Sequence, residues 1–464
     1  MKQQRLSTRR TFLSQAAAGT AAAPWLIPAS VFGKEGAPPP SERITVGSIG
    51  IGAMGQGHLR HCLSRPEARV VAVCDVDQHR RENAKRLVEQ TYAARQDGGT
   101  LKELRGLIAQ TAGVKASCAA YNDLRELLDR DDIDAVIIAT GDNWHGAATV
   151  MAARAGKDIY CEKPISKTIG EARAMVDAVR RYGRVCQIGL QQRSTFEFRK
   201  ACRLVQDGRI GKVRTVYVSH PGTNDYVNLP AEPVPDGLDW DLWLGPAPWR
   251  PFHSRLHIYG NPPHVTPWAF CRDLGGGNLT NNTVHAFDVV QWGLQMDASG
   301  PVEIIPPETG EVPSLTYKYA NGVLLQVDYK LNPDKHSIPK GWDPDTRLQD
   351  FGALFAGEDG WIHVGRQGYL RAFPEAVLQD APGDAESLPP VSGHMQNWLE
   401  CIRTREEPAC DVAAGCNSTI VSHLGCIAHW TRQALRWDPA REEFLDSDAA
   451  NRLRSRAMRA PWWV

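Results

Sequence analysis

The sequence predicts an α/β fold in two parts: an N-terminal Rossmann domain built on a parallel sheet, then a C-terminal α+β domain with a large, mainly antiparallel sheet. Three observations carry this expectation. An apolar strand runs straight into a glycine turn and a helix near residue 50; further apolar runs follow it with helical text between them; and from Lys212 onward the pattern changes to alternating strands separated by turn residues. The chain's 464 residues leave room for two or three domains of roughly 100–200 residues each.

The opening segment is a different kind of text. Arg9 and Arg10 stand inside STRRTFLSQ, ahead of an uncharged, Ala-rich run over residues 16–27, and residues 1–33 therefore read as a twin-arginine export signal. The run is about a dozen residues long, short of the ~20 that a membrane-crossing helix needs, so no stable membrane insertion is expected. KEGAPPP cannot pack, and residues 34–42 read as a linker. The expected location is the periplasm, or otherwise outside the cytoplasm by the same route.

Residues 43–165 carry the Rossmann pattern. Ile44–Ile49 is a short apolar strand, Gly50, Gly52 and Gly55 follow at GxGxxG spacing, and a helix begins near Met54. The first glycine allows the tight turn, the second lets a pyrophosphate approach the backbone, and the third lets helix pack on strand. Gly50, Gly52, Ala53, Met54 and Gly55 are thus expected to hold a dinucleotide at the helix N-terminus. The second strand, RVVAVCD, ends at Asp75, twenty residues beyond Gly55, where a carboxylate accepts hydrogen bonds from ribose hydroxyls. It would repel the extra phosphate of NADP, so NAD is the expected cofactor and NADP the less favoured one. Arg80 and Arg81 nearby could reach a phosphate, but read first as solvated helix charges. A long helical stretch (Ala84, Leu87, Val88, then Leu101, Leu104, Ile108) leads to DAVIIAT, residues 134–140, whose unbroken apolar character implies a strand buried on both faces. The loop TGDNWH at its end, residues 140–145, lies where open α/β sheets bind ligands.

Residues 166–464 read as the α+β domain, for substrate and subunit contacts. EARAMVDAVRRY places Ala172, Met175, Val176 and Val179 on one helix face, and the strand RVCQIGL leads into QQRS. VRTVYVS, LTYKYANGVLLQVDYK with an Asn321-Gly322 hairpin turn, and GALFAGEDGWIHV supply the sheet. Closing helices are expected over 394–404 and 413–434. Trp240, Trp243, Trp249 and Trp268 mark a Trp- and Pro-rich insertion whose flat faces suit carbohydrate C–H faces, while core packing or a dimer contact explains any single Trp as well. The sheet shows no obvious cover for its outer face, which predicts a homodimer or homotetramer packed through it.

Composition excludes several partners. Lys plus Arg and Asp plus Glu are 53 each, with no long run of one sign, so nucleic acid is not an expected partner. Eleven cysteines are scattered with no CxxC pair and no His at metal-ligand spacing, so neither a disulfide framework nor a metal site is expected.

After the next strand, GKDIYC, comes EKPIS. In order, the glycine fingerprint, the 140–145 loop and Glu162-Lys163-Pro164 resemble the glucose-fructose oxidoreductase / inositol dehydrogenase / rhizopine catabolism (Gfo/Idh/MocA) family, and DWDLWLGPAPWRPF and LRWDPAREEF look like its subgroup with export signals. The resemblance implies that Lys163 contacts the substrate hydroxyl and the nicotinamide ribose, and that Thr140, Asp142, His145 and Glu162 help shape the cofactor site. A lysine at a strand end beside a dinucleotide can polarise an alcohol oxygen and stabilise a developing alkoxide. DLGGGNLTNNTVHAFDVVQWGL is similar to the family's glycine triplet, Asp and His, which makes His285 the implied general base. Asn281, His285 and Asp288 fall at i, i+4 and i+7 and are expected on one helix face. Arg193 resembles a family position near cofactor and substrate, and its chemistry serves a structural ion pair equally well. Trp268 and Asn281 complete the expected substrate contacts, with His264 as a spare.

The chain also departs from that pattern. Thr140-Gly141-Asp142 stands where the family often has Thr-Pro-Asn, Asn281 where it has Asp, and Thr283 where it has Gly. Asn281 can hold a hydroxyl by hydrogen bonds but cannot support an imidazolium electrostatically. Three activities remain in play: hydride transfer at a hydroxyl of a sugar, cyclitol or glycoside with a tightly held cofactor; glycoside hydrolysis or lysis through transient oxidation and elimination; and non-catalytic sugar binding.

Overall fold

The computed structural model describes residues 42–96, 117–257, 267–379 and 393–463. The export signal, nearly all of the linker, His264 and the 101–108 helical stretch lie outside the described residues.

Six short strands form a parallel sheet: β1 Ile44–Ile49, β2 Ala68–Cys74, β3 Ala119–Tyr121, β4 Ala135–Ile138, β5 Asp158–Cys161 and β6 Cys186–Ile188. Their order is β3-β2-β1-β4-β5-β6. Val, Ile and Ala fill these strands and are buried on both faces, as a sheet covered by helices on each side requires. The order reverses between β1 and β4, and open sheets bind ligands at the carboxyl ends beside such a reversal. The connecting helices are α1 Ala53–Ser64, α2 Gln78–Gln96, α3 Leu124–Leu128, α4 Asp142–Arg154 and α5 Ile169–Arg181. Thr168 caps the N-terminus of α5: its Oγ1 accepts from Glu171 N at 3.3 Å and donates to Glu171 Oε1 at 3.1 Å.

The boundary expected at residue 165 does not coincide with the edge of this layer. α5 and β6 follow it and complete the parallel sheet, and α10 (His394–Thr404) packs Met395, Trp398 and Leu399 against Val46, Val70 and Tyr160. His394 Nε2 stands 2.8 Å from Ile188 O, tying that helix to β6. β3 and α3 interrupt what the sequence suggested as continuous helix; an Ala-Ala-Tyr strand is too short to show an alternating pattern.

The second sheet has nine strands and is mixed, mostly antiparallel. Adding β7 Val213–Val218, β8 Pro301–Ile305, β9 Leu315–Tyr319, β10 Leu324–Val327, β11 Ala353–Gly357, β12 Trp361–Val364, β13 Leu370–Phe373, β14 Leu435–Asp438 and β15 Glu443–Phe444, its order is β13-β12-β11-β7-β10-β9-β8-β14-β15. Only β7 and β10 pair in parallel. The expected hairpin joins β9 to β10, with Gly322 at φ 87°. The inner face carries Val216, Leu325, Tyr317, Phe355 and Ile362 into the core formed with α6 (Phe196–Gln206), α9 (Thr283–Gly293) and α11 (Val412–Thr431).

Strands β7, β11 and β12 carry a cover on their outer face that the sequence did not reveal. Residues 331–348 fold back so that Leu331, Trp342 and Leu348 pack on Tyr217, Leu354, Ala356 and Trp361. Tyr217 donates to Ser337 O at 2.8 Å and Trp361 Nε1 to Lys340 O at 3.1 Å. That segment lacks strand periodicity, so its role as a lid on the sheet is invisible in the pattern. All eleven cysteines are free and buried. Among the described residues no helix is long and apolar enough to cross a membrane.

Candidate active site

One cavity of about 470 Å³ runs across the carboxyl ends of β1, β2, β4 and β5 and on to α9. Its lining includes every residue expected to hold the cofactor except Gly55, which lies beneath it, and it reaches Asn281 and His285 at the other end.

At the first end the backbone sets the shape. Gly50 adopts φ +82°, and a Cβ there would come within 2.7 Å of Ala139 carbonyl atoms, so the turn presses against the end of β4. A Cβ on Gly55 would overlap Gly50 O, so only glycine lets α1 start this close to β1. Gly52 is the opposite case: the nearest atom to an added Cβ is Arg80 Nη1 at 3.9 Å, which leaves the space beside the helix N-terminus clear. The buried Asp75 carboxylate accepts from Ile51 N at 2.6 Å and Asp77 N at 2.9 Å while lining the cavity. Burial raises its pKa, against the pull of Arg80 and these two backbone donors. Arg80 is not a solvated charge: it is 9% exposed, lines the same wall and pairs with Asp77 at 3.3 Å.

The middle of the cavity is the 140–145 loop and the strand end Glu162-Lys163. His145 sits with Nδ1 2.6 Å from Pro164 O and Nε2 3.2 Å from Thr140 O, tying loop to strand end. Burial lowers its pKa. Glu162 is buried, which by itself raises a carboxyl pKa. The hydrogen bond from His58 (2.7 Å) and the charges of His58 and Lys163 outweigh that and hold it at about 2. Asp142 opens α4, and burial pushes its carboxyl up to about 7 in spite of Lys163 and Lys167. Its Oδ2 is buried without a hydrogen-bond partner. A buried polar atom with no protein partner beside the cavity suits a ligand's hydroxyl or amide.

The reaction end converges on Lys163. Its Nζ donates to Asn281 O at 2.8 Å and Asn281 Oδ1 at 3.1 Å, joining the parallel-sheet layer to the short helix α8 (Asn278–Asn281). Burial lowers the Lys163 pKa, opposed by Glu162 and Asp142. Asn281 and His285 do not lie on one continuous helix, as their spacing suggested. α8 ends at Asn281, Asn282 forms the junction at φ −110°, ψ −53°, and α9 begins at Thr283. Both residues still face the cavity. Asp288 points elsewhere. It is fully buried and receives Arg193, which donates to Asp288 and Asp297 at 2.7–3.0 Å from all three of its nitrogens. Arg193 is therefore a structural ion-pair residue and is not among the residues that line the cavity.

Several lining residues had no signal in the sequence. Phe351 and Arg366 come from the loop before β11 and the turn after β12; the Arg366 guanidinium lies 3.8 Å over the Phe351 ring, and the His285 ring meets Phe351 edge-on at 5.3 Å. Phe351 holds φ 60° and its neighbour His220 φ 67°, left-handed values that bulky residues avoid unless surrounding structure fixes them. Trp243, on the short helix α7 (Trp240–Leu244), and Trp268 line the cavity as well; Trp240 stacks on Trp243 at 4.4 Å as core, and Trp249 is exposed. No cluster of three or more metal-binding side chains occurs among the described residues.

Comparison with known proteins agrees with this layout. Residues 44–190 match the family model for the oxidoreductase family's NAD-binding Rossmann fold (GFO_IDH_MocA), and residues 197–464 match the model for the same family's C-terminal alpha/beta domain. Over 179 residues, 38% of this chain, it is 28% identical to inositol 2-dehydrogenase of Azotobacter vinelandii, spanning 45% of that relative's length. The chain thus matches about half the length of such relatives. Two solved structures share the fold across 85% of this chain and 99% of theirs: aldose-aldose oxidoreductase from Caulobacter crescentus, with glycerol (18% identity, TM-score 0.52), and the WlbA dehydrogenase from Bordetella pertussis, with NADH and UDP-GlcNAcA (16%, TM-score 0.51).

Proposed function

The chain belongs to the Gfo/Idh/MocA oxidoreductase family, and from that premise we propose that it is an NAD-dependent enzyme moving hydride between a tightly held nicotinamide cofactor and a hydroxyl of a sugar, cyclitol or glycoside. The observation that carries the reading is the single cavity joining Gly50, Gly52 and Asp75 to Lys163, Asn281 and His285. The open space over Gly52, the Asp75 carboxylate and the unpartnered Asp142 Oδ2 fit a dinucleotide, which when bound supplies the hydride acceptor or donor. NAD is favoured over NADP because the Asp75 carboxylate lines the ribose end, although Arg80 on the same wall softens the repulsion of a phosphate.

The chain's own residues handle the substrate oxygen. Lys163 stabilises negative charge developing there and exchanges its proton, while His285 hydrogen-bonds the same oxygen from the other layer. Asn281 orients Lys163 through its carbonyl and side-chain oxygens. Trp243, Trp268 and Phe351 offer apolar faces to a sugar ring. Export by the twin-arginine route, supported by Arg9 and Arg10 and the run after them, would carry the folded protein with its cofactor already bound. Subunit pairing belongs to the same proposal, through the outer face of the large sheet beyond the strands on which residues 331–348 pack.

The test is extraction of the purified full chain: NAD should be recovered with it, and the nicotinamide absorbance should change on adding a sugar or cyclitol. Recovery of NADP alone would overturn the cofactor assignment. Net glycosidic cleavage would move the protein to the hydrolase class.

A further inference from the structure

Two side chains beside His285, Gln192 and Arg366, bear on where its proton resides. Gln192 is buried beneath the cavity, with one end of its amide 2.9 Å from His285 Nδ1 and the other 3.1 Å from both Nε and Nη2 of Arg366. A guanidinium offers N–H donors only and keeps them at any ordinary pH, so the amide end that faces it is the oxygen. The NH2 group then faces His285, where it can only donate. Nδ1 is therefore an acceptor, and a neutral imidazole with an unprotonated Nδ1 carries its hydrogen on Nε2. The reverse orientation sets donor against donor at Arg366.

The surroundings lock this arrangement. Arg366 is held by stacking on Phe351, whose ring also meets His285 edge-on. Burial lowers the His285 pKa well below its ordinary value, and the charges of Lys163, Arg366 and His394 push it the same way, so the ring stays neutral. Lys163 offers the complementary group. Two of its tetrahedral positions point at Asn281 O and Oδ1, one remains for the cavity, and burial makes the ammonium easier to deprotonate.

We propose that Gln192 and Arg366 are positioning residues that hold His285 as its Nε2–H tautomer, so that His285 meets the substrate oxygen as a hydrogen-bond donor and Lys163 takes the proton. In alcohol oxidation the O–H bond would break toward the unprotonated Lys163 amine and its electron pair would stay on oxygen to form C=O, with a bound oxidised nicotinamide supplying the acceptor for the hydride that leaves carbon. His285 keeps its proton throughout. In the reverse direction Lys163 returns the proton to oxygen. The catalytic part of this inference rests on the oxidoreductase reading; the tautomer does not.

The experiment is nitrogen NMR of the full chain labelled with 15N-histidine, without added substrate, with the His285 signals assigned by their loss in His285→Asn. The expected wild-type spectrum shows an unprotonated Nδ1 and a directly bonded hydrogen on Nε2. Gln192→Glu keeps the shape and the Arg366 contact but presents only acceptors, so the hydrogen should move to Nδ1. Arg366→Met, at an exposed position, should release the amide and give both tautomers. A wild-type Nδ1–H signal overturns the proposal, as does an unchanged pattern in either variant. Should Gln192→Glu not fold, the wild-type spectrum and Arg366→Met still decide. Because no turnover is measured, failure of the oxidoreductase reading would show separately, as absence of bound dinucleotide.

Discussion

The two ends of the cavity are built by different means. The cradle end is made of backbone: Gly50, Gly52 and Gly55, one carboxylate at Asp75, and a helix N-terminus, all within 26 residues of chain from Gly50 to Asp75. The reaction end is made of side chains delivered by separate elements: Lys163 from β5's end, Gln192 from the turn after β6, Asn281 and His285 from two short helices, Phe351 and Arg366 from the second sheet. Local assembly makes the cradle tolerant of distant change and intolerant of a single methyl group. The reaction end depends on the packing that holds its elements in place.

The largest expected effect probes that packing. Arg193→Met leaves the fully buried Asp288 carboxylate unpaired, and removal of one partner from a buried pair costs about 3–5 kcal/mol. Denaturant unfolding should show that loss, while the folded fraction still binds dinucleotide; an unchanged midpoint would mean the ion pair does not hold the reaction end. Next comes the chemistry. Lys163→Ala should keep bound dinucleotide and lose at least ~100-fold in turnover, with His285→Ala similar and the double variant far from multiplicative. Wild-type rates in both would remove the reaction-end assignment.

The cradle is probed by Asp75→Ser, which should narrow the NAD over NADP preference by about tenfold, or roughly 1.4 kcal/mol in relative binding. An unchanged ratio would shift the selectivity to other residues, Arg80 first. Asn281→Asp places a carboxylate against Lys163 and should move the acid limb of the pH–rate profile for alcohol oxidation upward by about 1 pH unit or more, since a nearby opposite charge favours the protonated amine. A profile that stays in place would argue against Lys163 as the proton acceptor.

Comparable in size to the Arg193 effect is a pH dependence of stability. The folded Asp142 carboxyl, raised to about 7 from an ordinary 3.8, favours folding fully below pH 3.8, and that contribution is lost as pH rises through 7. Asp142→Asn should therefore gain melting temperature relative to wild type progressively from about pH 4 to 7 and level off above. A difference that is flat across this range would show that Asp142 is ionised throughout.

This contrast also explains what the sequence could reveal. The glycine spacing, Asp75 and the buried apolar strands are local patterns whose meaning does not depend on distant residues, and the cradle was legible for that reason. Lys163 and His285 were reached through motif resemblance, and the structure brings them to one cavity. Gln192, Phe351 and Arg366 carry no local signal, because their places depend on how β6, β11 and β12 pack. Arg193 matched a motif but was drawn to Asp288 and Asp297, whose positions only the folded chain discloses. The break at Asn282 likewise turns an apparent i, i+4, i+7 stripe into two helices with different outlooks. Residues 331–348 have no periodicity at all, so their packing over the large sheet could not be foreseen.

In the proposed function one cavity holds NAD at one end and reacts a hydroxyl at the other through Lys163 and His285. The direct measurement is absorbance of the dinucleotide carried by the purified full chain, titrated with a panel of sugars and cyclitols, in wild type and in Lys163→Ala. Wild type should interconvert oxidised and reduced nicotinamide, and Lys163→Ala should retain dinucleotide that does not react. Wild-type protein that carries no dinucleotide, or a Lys163→Ala protein that converts it at the wild-type rate, would overturn the assignment of Lys163 and of the dinucleotide cradle.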